Sequence, residues 1–260
     1  KKGKSAIVFS ATMFPMLYYR ELLTTDRDAY GIYVQSPFPK ENRRILIGSD
    51  VSSRYTRRNR AEYRKIAGYI ARCVWQRQGN YMVFFPSYRL MEDVLQVYEE
   101  EFSVDWVRCV CQTPDMTEQE REGFLEEFQE REGTLVGFCV LGGIFSEGVD
   151  LTGESLIGAV IVGTGLPQIG SQREILKEYY DKKNHCGFDY AYRYPGMNKV
   201  LQAAGRVIRT KEDKGVILLL DDRFWDRDYQ EIFPREWQDR TGCRLDTVEG
   251  AVETFWKRFT

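Results

Sequence analysis

The stretch that decides the fold is Thr134-Leu135-Val136-Gly137-Phe138-Cys139-Val140, which precedes a glycine-rich loop and a second apolar run, Leu156–Val162. Both runs have the length of a strand and are apolar at consecutive positions, which is typical of strands buried on both faces. Similar runs occur at Ala6–Phe9, Arg44–Ile47, Tyr81–Phe85, Trp106–Val110 and Val216–Leu220. Helical patterns separate them at Arg57–Gln76, Arg89–Glu101, Thr117–Glu130, Ser171–Lys182 and Pro195–Ile208. The alternation predicts an α/β domain of three layers, in which a mostly parallel sheet is flanked by helices on both faces.

Two of the predicted helices have recognisable first turns. Thr117 followed by Glu120 fits a capping box, in which each residue satisfies a backbone N–H of the other. Pro195 suits the start of the last helix, because its missing N–H would have no helical partner there.

The composition is that of an ordinary folded chain. It has 260 residues, 43% hydrophobic and 29% charged, and 37 Lys+Arg against 39 Asp+Glu give a net charge of −2. No apolar run approaches the roughly 18 residues that span a membrane, and the apolar stretch after the basic N-terminus is too short for a signal peptide. A near-neutral balance removes the simplest argument for nucleic-acid binding, a strongly basic domain. We expect a cytoplasmic protein with no membrane partner.

The cysteines and the single histidine do not form a metal-binding pattern. Six cysteines occur without any Cys-x-x-Cys pair, the short spacing by which zinc and iron–sulfur sites are usually recognised. Cys109 and Cys111 share one face of a predicted strand, and His185 lies alone in a polar segment. These features predict reduced core thiols in a cytosolic protein and no metal site in this chain.

Charge is unevenly distributed along the chain. Residues 50–72 carry seven basic side chains against two acidic ones, a local charge of +5. Residues 115–132 carry eight acidic side chains against two basic ones, a local charge of −6, which is typical of a solvated helix face. The basic run contains Arg54, Arg57 and Arg58 with tyrosines interleaved. It suits either a solvated face or a surface that contacts phosphates and stacks on bases.

The segment Gln202-Ala203-Ala204-Gly205-Arg206-Val207-Ile208-Arg209 has the most specific pattern. On a helix, positions 202, 206 and 209 share one face, so the glutamine and both arginines would project together. Two guanidinium groups on one face repel each other unless an anion or an acid lies between them. A triphosphate would suit them, because arginine presents a planar fork of donors to phosphate oxygens. The alternative is a surface helix whose arginines pair with the nearby Glu212 and Asp213.

The loop Gly142-Gly143-Ile144-Phe145-Ser146-Glu147-Gly148-Val149-Asp150-Leu151 directly follows the strand at 134–140. In open α/β sheets, ligands bind at the carboxyl ends of the strands, where this loop begins. Its glycines permit tight turns and a close approach of the backbone to a ligand. Glu147 and Asp150 would then be able to meet a ribose, a metal-bound water or an arginine. The alternative is a plain connection between two strands.

Two further segments place hydroxyl groups after predicted strands. Ser10 and Thr12 follow the first apolar run, and Ser87 with Tyr88 follows Tyr81–Phe85. Each pair fits a helix-capping turn, and each also fits contact with a nucleic-acid backbone. Ser87 could serve as a helix cap and a phosphate contact at once.

Two likenesses to nucleotide-binding motifs do not hold. Gly3-Lys4-Ser5 is similar to the end of a P-loop, but that motif needs a preceding strand and a following helix. Leu218–Asp222 is similar to the metal-binding strand of P-loop NTPases, yet no usable P-loop accompanies it. The chain also has no Asp-Glu dipeptide, which helicases use in their acidic box, and no Gly-x-Ser-x-Gly. A complete site for ATP hydrolysis or for Ser/His/Asp catalysis is therefore not expected in this chain.

Four segments together resemble the motifs of one helicase family. Ser10-Ala11-Thr12, Phe84–Tyr88, Ser146–Asp150 and Gln202–Arg209 occur in the order and approximate spacing of helicase motifs III, IV, V and VI. The amino-acid sequences of the last two segments resemble those of the XPD/DinG branch of superfamily-two ATP-dependent DNA helicases. Gly165-Leu166-Pro167 and Asp221–Phe224 are also similar to that branch. The resemblance covers roughly residues 5–225 and implies a C-terminal RecA-like helicase domain.

The resemblance implies a motor with two RecA-like lobes, with ATP bound between them and single-stranded DNA crossing their surface. Arg206 and Arg209 would reach the γ-phosphate from the second lobe and stabilise the charge that develops during phosphoryl transfer, while Gln202 would orient them. Nucleotide sensing, and its coupling to the DNA-facing loops, would fall to Glu147, Gly148, Asp150 and Gly205. The DNA path would include Ser10, Thr12, Ser87 and Tyr88, joined by Arg54, Arg57 and Arg58.

The departures from the family are equally informative. The P-loop, the acidic box and the four cysteines of the iron–sulfur module belong to the family's first lobe. ATP and Mg²⁺ would thus be bound mainly by an N-terminal lobe in cis, and an iron–sulfur cluster in the full-length protein would lie outside this chain. We expect residues 1–13 to be the terminal strand and motif III of that lobe, residues 14–225 the RecA-like domain, and residues 226–260 a helical tail packed on it.

Two expectations and one alternative function follow from this interpretation of the chain. The isolated chain should have no ATPase or helicase activity by itself. The strand at 6–9 would pair with the first lobe, or in its absence with another copy of the chain. The alternative function is a non-catalytic RecA-like module that binds nucleic acid or a protein. Arginines 206 and 209 in an open cleft would favour the motor, and burial in salt bridges within their own domain would favour the module.

Overall fold

The computed structural model describes residues 6–26, 28–129, 133–143, 145 and 156–259. Their strands form one seven-stranded sheet in the order β3-β4-β2-β5-β6-β1-β7, and all neighbouring pairs are parallel. The strands are β1 (Arg43–Gly48), β2 (Asn80–Phe85), β3 (Val107–Cys111), β4 (Thr134–Val140), β5 (Gly158–Val162), β6 (Gly215–Leu220) and β7 (Thr241–Cys243). The predicted parallel α/β sheet is confirmed.

Helices cover both faces of this sheet. They are α1 (Met16–Leu23), α2 (Arg60–Val74), α3 (Tyr88–Glu101), α4 (Glu118–Glu127), α5 (Ser171–Asn184), α6 (Tyr194–Ala204), α7 (Arg227–Gln230) and α8 (Val248–Trp256). Helices α2, α3 and α8 contribute to the core on one face, and α4 and α6 to the core on the other. A π-helical turn, Asp189–Arg193, leads directly into α6, and a 3-10 turn, Tyr55–Arg57, follows β1.

Alternate side chains of each strand enter two separate hydrophobic cores. In β6, Leu218 and Leu220 pack on the face of α2, whereas Ile217 and Leu219 pack on the face of α6. All four side chains are buried. Successive residues of a strand point to opposite faces, so a strand that is apolar at every position needs cover on both sides. This requirement produces the three layers.

Several local signals are confirmed by the structure. Strand β4 begins and ends where predicted, at Thr134 and Val140. The capping box of Thr117 and Glu120 is formed at the start of α4, with both reciprocal hydrogen bonds present. Pro195 lies in the first turn of α6, where its missing N–H costs no helical hydrogen bond.

Two predicted elements are wrong. Ala6–Phe9 is not a strand: Ile7 and Phe9 are 88% and 89% exposed, and no described strand lies beside them to pair with their backbone. Helix α6 ends at Ala204 rather than Ile208. The N–H groups of Arg206 and Val207 reach carbonyls only three residues back, which tightens and ends the helix at this point.

The C-terminal segment is more than the predicted helical tail. Helix α8 packs on the core through Val248 and Val252. Between α7 and α8 the chain also adds β7 in parallel to β1. This strand has three residues, Thr241-Gly242-Cys243, and lacks the apolar run by which the other strands were predicted. Its place in the sheet therefore depends on its pairing with β1 and not on an apolar run of its own.

A large aromatic residue of β4 tests the account of the core. Phe138 is fully buried, and its ring centroid lies 6.0 Å from that of Phe85 and 5.6 Å from that of Tyr98. We expect Phe138→Ala to lower the free energy of unfolding by about 3–5 kcal/mol in urea denaturation, because it removes apolar burial and leaves a cavity. Ile175→Ala, at a side chain that is 68% exposed, should change the same quantity by less than about 0.5 kcal/mol. Equal losses would contradict this account.

Candidate nucleotide and nucleic-acid interfaces

Helix α6 runs from the carboxyl edge of the sheet to its amino edge. Its first turn packs on the end of β5, since a Cβ added to Gly196 would lie 2.7 Å from the carbonyl oxygen of Thr164. Just beyond its last turn, Val207 covers Gly215, the first residue of β6, so closely that a Cβ there would lie 2.1 Å from the valine Cγ1. The helix thus connects the two edges of the sheet.

The arginine segment lies at the amino edge. The side-chain amide of Asn42, which precedes β1, donates a hydrogen bond of 2.7 Å to the carbonyl of Lys211. Gly205 is exposed at the end of α6, and Gln202 is half-buried in its last turn. Arg206 and Arg209 follow in a turn, so the prediction that positions 202, 206 and 209 share one helical face is wrong.

The turn that carries these arginines is fixed by an acid. The carboxylate of Asp213, which is buried, accepts hydrogen bonds of 2.7 Å from the backbone N–H groups of Arg209 and Thr210. Arg206 is 9% exposed and Arg209 is half-buried. An open cleft around both arginines would favour the motor, and burial of both in salt bridges would favour the binding module. With one arginine buried and the other half-buried, the structure matches neither arrangement fully.

Of the acidic loop, the structure describes only Gly142, Gly143 and Phe145. Glu147, Gly148 and Asp150 lie outside the described residues. On the near side, the ring of Phe145 stacks on Phe124 with centroids 4.3 Å apart. The chain leaves β4 at the carboxyl edge of the sheet and enters β5 from the amino edge. The described flanks of the loop therefore lie near both candidate surfaces.

Three polar side chains lie at the carboxyl ends of β2 and β3: Ser87, Tyr88 and Gln112. Ser87 caps α3, accepting a hydrogen bond of 3.4 Å from the N–H of Leu90. Tyr88 accepts a hydrogen bond of 2.9 Å from the amide of Gln112, whose oxygen accepts one of 2.9 Å from the N–H of Val140. Gln112 thereby links three adjacent strand ends. It had no recognisable signal in the sequence, because a lone glutamine after a short strand is common.

The basic segment after β1 is largely ion-paired. Arg54 and Arg57 both contact the carboxylate of Asp222, at 3.4 Å and 3.6 Å. Arg57 also contacts Glu62, at 3.3 Å. Farther along, acids of α3 pair with Arg60 and Arg64. The local charge of +5 is therefore largely offset by acids that are distant in the sequence.

Arg58 is placed differently. Its guanidinium carbon lies 5.5 Å from the ring centroid of Tyr55, which is 78% exposed, and its Nε donates a hydrogen bond of 3.4 Å to the carbonyl of Ser53. The half-buried Arg58 and the exposed Tyr55 form a cation–aromatic pair beside the carboxyl end of β1. Ser10 and Thr12 form a separate small turn in which their hydroxyls lie 3.4 Å apart.

A buried ionic network joins the loops after β1 and β6. Asp221 is fully buried and accepts hydrogen bonds from the N–H and the hydroxyl of Ser53, at 2.9 Å and 2.6 Å. Arg223 donates to the same carboxylate from Nε, at 2.7 Å, and from Nη2, at 2.9 Å. Gly163, with φ of +84°, leaves room for the network, since a Cβ there would lie 2.5 Å from the Ser53 hydroxyl.

The protonation of Asp221 follows from these contacts. Burial raises the pKa of the carboxyl, but the hydrogen bonds and positive charge of Arg223, with the donors of Ser53, outweigh it and hold the pKa below its usual value. The carboxylate is therefore ionised at neutral pH. The network holds the segment that carries Arg54, Tyr55 and Arg58 against the sheet.

Neither a metal cluster nor a membrane span occurs in the described part of the chain. No three His, Cys, Asp or Glu side chains there lie close enough together to hold a metal ion. No described helix is long and apolar enough to cross a membrane.

Comparison with known proteins identifies the family to which this fold belongs. A parallel sheet of this order with helices on both faces, and with loops gathered at its carboxyl edge, is a RecA-like lobe. A family model for the helicase C-terminal domain matches residues 70–240. The chain belongs to that family.

The relatives are helicases of the XPD type. The ATP-dependent DNA helicase XPD of Sulfolobus acidocaldarius is 28% identical over 234 residues, which cover 85% of this chain and 39% of that protein. A probable ATP-dependent helicase of Methanocaldococcus jannaschii is 27% identical over 235 residues, 86% of this chain and 35% of that protein. A solved XPD helicase structure superposes with a TM-score of 0.61 at 24% identity, covering 77% of this chain and 35% of that one. The chain spans little more than a third of these proteins.

Asp221 gives a test of the network. Asp221→Asn should lower the free energy of unfolding at pH 7 by about 3–5 kcal/mol, because it leaves the largely buried Arg223 without its counter-charge. The pKa is depressed in the folded state, so the stabilising effect of the carboxylate is present above the unfolded value of about 3.9 and is lost as the pH falls through the folded value.

The measurement is urea denaturation of both proteins at pH 7 and near pH 3. The difference between wild type and variant should be smaller at the lower pH. Asp226→Asn serves as the control, since that side chain is 58% exposed and its removal should cost less than about 1 kcal/mol. A difference that is equal at both pH values would rule out the ionised Asp221.

Proposed function

We propose that this chain is the second motor lobe of an ATP-dependent DNA helicase. One observation carries the proposal. Helix α6 starts at the carboxyl edge of the sheet, and the turn directly after it places Arg206 and Arg209 at the amino edge. Because the chain spans only part of its relatives, ATP hydrolysis would require a P-loop lobe in cis. That lobe would hold most of the nucleotide and its Mg²⁺.

The arginines would act on the nucleotide from outside its main site. Arg206 and Arg209 would contact the γ-phosphate and stabilise the charge that develops as it is transferred, and Gln202 would orient them. Gly205 is exposed and has no side chain, which supports a close approach of the other lobe. Glu147, Gly148 and Asp150 would couple the nucleotide state to the DNA-facing loops.

Single-stranded DNA would cross the carboxyl edge. The exposed Tyr55 with Arg58 offers a stacking surface beside a cation, and the hydroxyls of Ser87 and Tyr88 lie farther along the same edge. Arg54 and Arg57 would contribute less, because both are paired with Asp222. Ser10 and Thr12 would join this path in the complete protein.

An iron–sulfur cluster does not fit the described residues. Cluster ligands are cysteine thiolates that surround the iron atoms together, and no three His, Cys, Asp or Glu side chains of the described residues lie close enough to share a metal. A cluster in the complete protein would be bound outside this chain. Self-association through the exposed segment at 6–9 is a separate proposal, supported by its exposed Ile7 and Phe9.

One observation favours a second function, a non-catalytic RecA-like module that binds nucleic acid or a protein. Arg206 is largely buried, and a phosphate could reach it only if the surrounding turn moved or the other lobe closed on it. The two functions are distinguished by whether the arginines affect ATP hydrolysis in a protein that contains both lobes.

The experiment is an ATPase assay with single-stranded DNA on the two-lobe helicase that contains this chain. Arg209→Lys should lower kcat by about 10³-fold or more, because lysine lacks the planar fork that contacts phosphate oxygens. Arg227→Lys is the matched control: this arginine pairs with Glu231 on the surface and should leave kcat unchanged. This chain assayed alone should hydrolyse no more ATP than the buffer. Turnover by the chain alone, or full activity of Arg209→Lys, would contradict the proposal.

A further inference from the structure

A groove at the carboxyl edge has a positive lining. It has a volume of about 370 Å³ and is bounded by the loops after β2, β4 and β5, with Arg173 of α5 and Lys199 of α6. These strands are adjacent in the sheet, so the groove spans about 10 Å along its edge. No aspartate or glutamate is among the described residues that line it. Its charge suits an anion, and the partly exposed Pro86 and Leu166 add apolar contacts at its wall.

Arg173 differs from Arg54, Arg57 and Arg223 of this edge, because it has no carboxylate partner among the described residues. Its Nη1 donates a hydrogen bond of 2.9 Å to the carbonyl of Ala191, an uncharged acceptor. Within the described part of the chain no carboxylate forms an ion pair with it, whereas Arg54 and Arg57 pair with Asp222 and Arg223 pairs with Asp221. A guanidinium has five donors, so Arg173 retains donors for a ligand.

The position of Arg173 is fixed by the π-helical turn Asp189–Arg193. That turn supplies the Ala191 carbonyl, and π-helical turns occur frequently at functional sites. The start of α6, directly after it, packs tightly against the wall of the groove. A Cβ on Gly165 would lie 2.5 Å from the carbonyl oxygen of Gly196, and Gly165 has a φ of +67°. The cation is thereby held in a defined place relative to the loop after β5.

A glycine also makes room for the second cation. Gly142 follows β4 with a φ of +76°, and a Cβ there would lie 2.8 Å from the Nζ of Lys199. A side chain at this position would displace the ammonium. Two cations, from two helices, therefore border a groove between neighbouring strand ends.

We propose that this groove binds one phosphodiester group of single-stranded DNA, with Arg173 as the residue that contacts the phosphate. The inference deepens the proposed function and rests on it. A phosphodiester suits the site because its negative charge complements Arg173 and its sugar can pack on Pro86 and Leu166. The open form of the groove and its place beside Tyr88 suit a continuous strand, which has to enter and leave.

The test measures binding of a fluorescent oligothymidylate of about 12 nucleotides to this chain by anisotropy, as a function of salt. Arg173→Gln should lower the magnitude of the slope of log K against log salt by about 0.7, since one phosphate contact is lost, and should weaken binding about fivefold at 0.1 M salt. Arg173→Lys keeps the charge and should retain the slope. Lys182→Gln, which removes a charge from the exposed far end of α5, should resemble wild type.

A second oligonucleotide separates phosphate contact from a structural effect. With a neutral methylphosphonate backbone, wild type and Arg173→Gln should bind equally, and circular dichroism should show both folded. An unchanged affinity and slope for Arg173→Gln on the charged strand, with wild type binding normally, would overturn this inference alone. No binding by wild type would overturn the DNA surface of the proposed function as well. A deficit of Arg173→Gln that persists on the neutral strand would overturn the phosphate contact.

Discussion

The arrangement depends on one constraint: every strand of the sheet is parallel, and the central strands are buried on both faces. Parallel strands place all their carboxyl ends at one edge, so each connection has to cross the sheet again before the next strand begins. Helix α6 makes one of these crossings in 11 residues, about 16 Å. It begins against Thr164 at one edge and ends at Ala204, and Arg206 and Arg209 follow in the turn at the other edge. The proposed nucleotide-facing arginines and the proposed DNA surface therefore lie at opposite edges and share a rigid element.

Much of this fold could be predicted from apolar runs and helix signals. Strand β4 and the capping box of α4 were located by local chemistry, which is strong where burial and hydrogen bonding agree. The strand expected at 6–9 was wrong because an apolar run becomes a strand only beside a partner. The end of α6 has no clear signal in the sequence, because Ala203, Ala204 and the arginines all have acceptable helix propensity. The turn after it is held by hydrogen bonds from backbone N–H groups to the Asp213 carboxylate, which propensity does not reveal.

The site could be predicted less well, because its contacts join residues far apart in the sequence. The pattern of the basic segment after β1 indicates an open cationic surface, but Asp222, more than 160 positions later, pairs with both Arg54 and Arg57. Conversely, Arg173 lies in a segment with no excess of basic residues, and only the fold brings it to a groove whose described lining residues include no acid. Net charge and local charge thus gave little guidance to the position of Arg173 in the fold. The glycines at 142, 163 and 165 were informative in a different way, since each allows a close approach that a side chain would prevent.

The division between the two edges is the central claim. It is tested most directly by photo-crosslinking 5-iodouracil single-stranded DNA to the two-lobe protein, followed by mass spectrometry of the attached peptides. The account predicts crosslinks in peptides that contain Tyr55, Tyr88 or the loop after β5, all at the carboxyl edge. Crosslinks concentrated instead in the peptide Gly205–Asp213, at the amino edge, would contradict it.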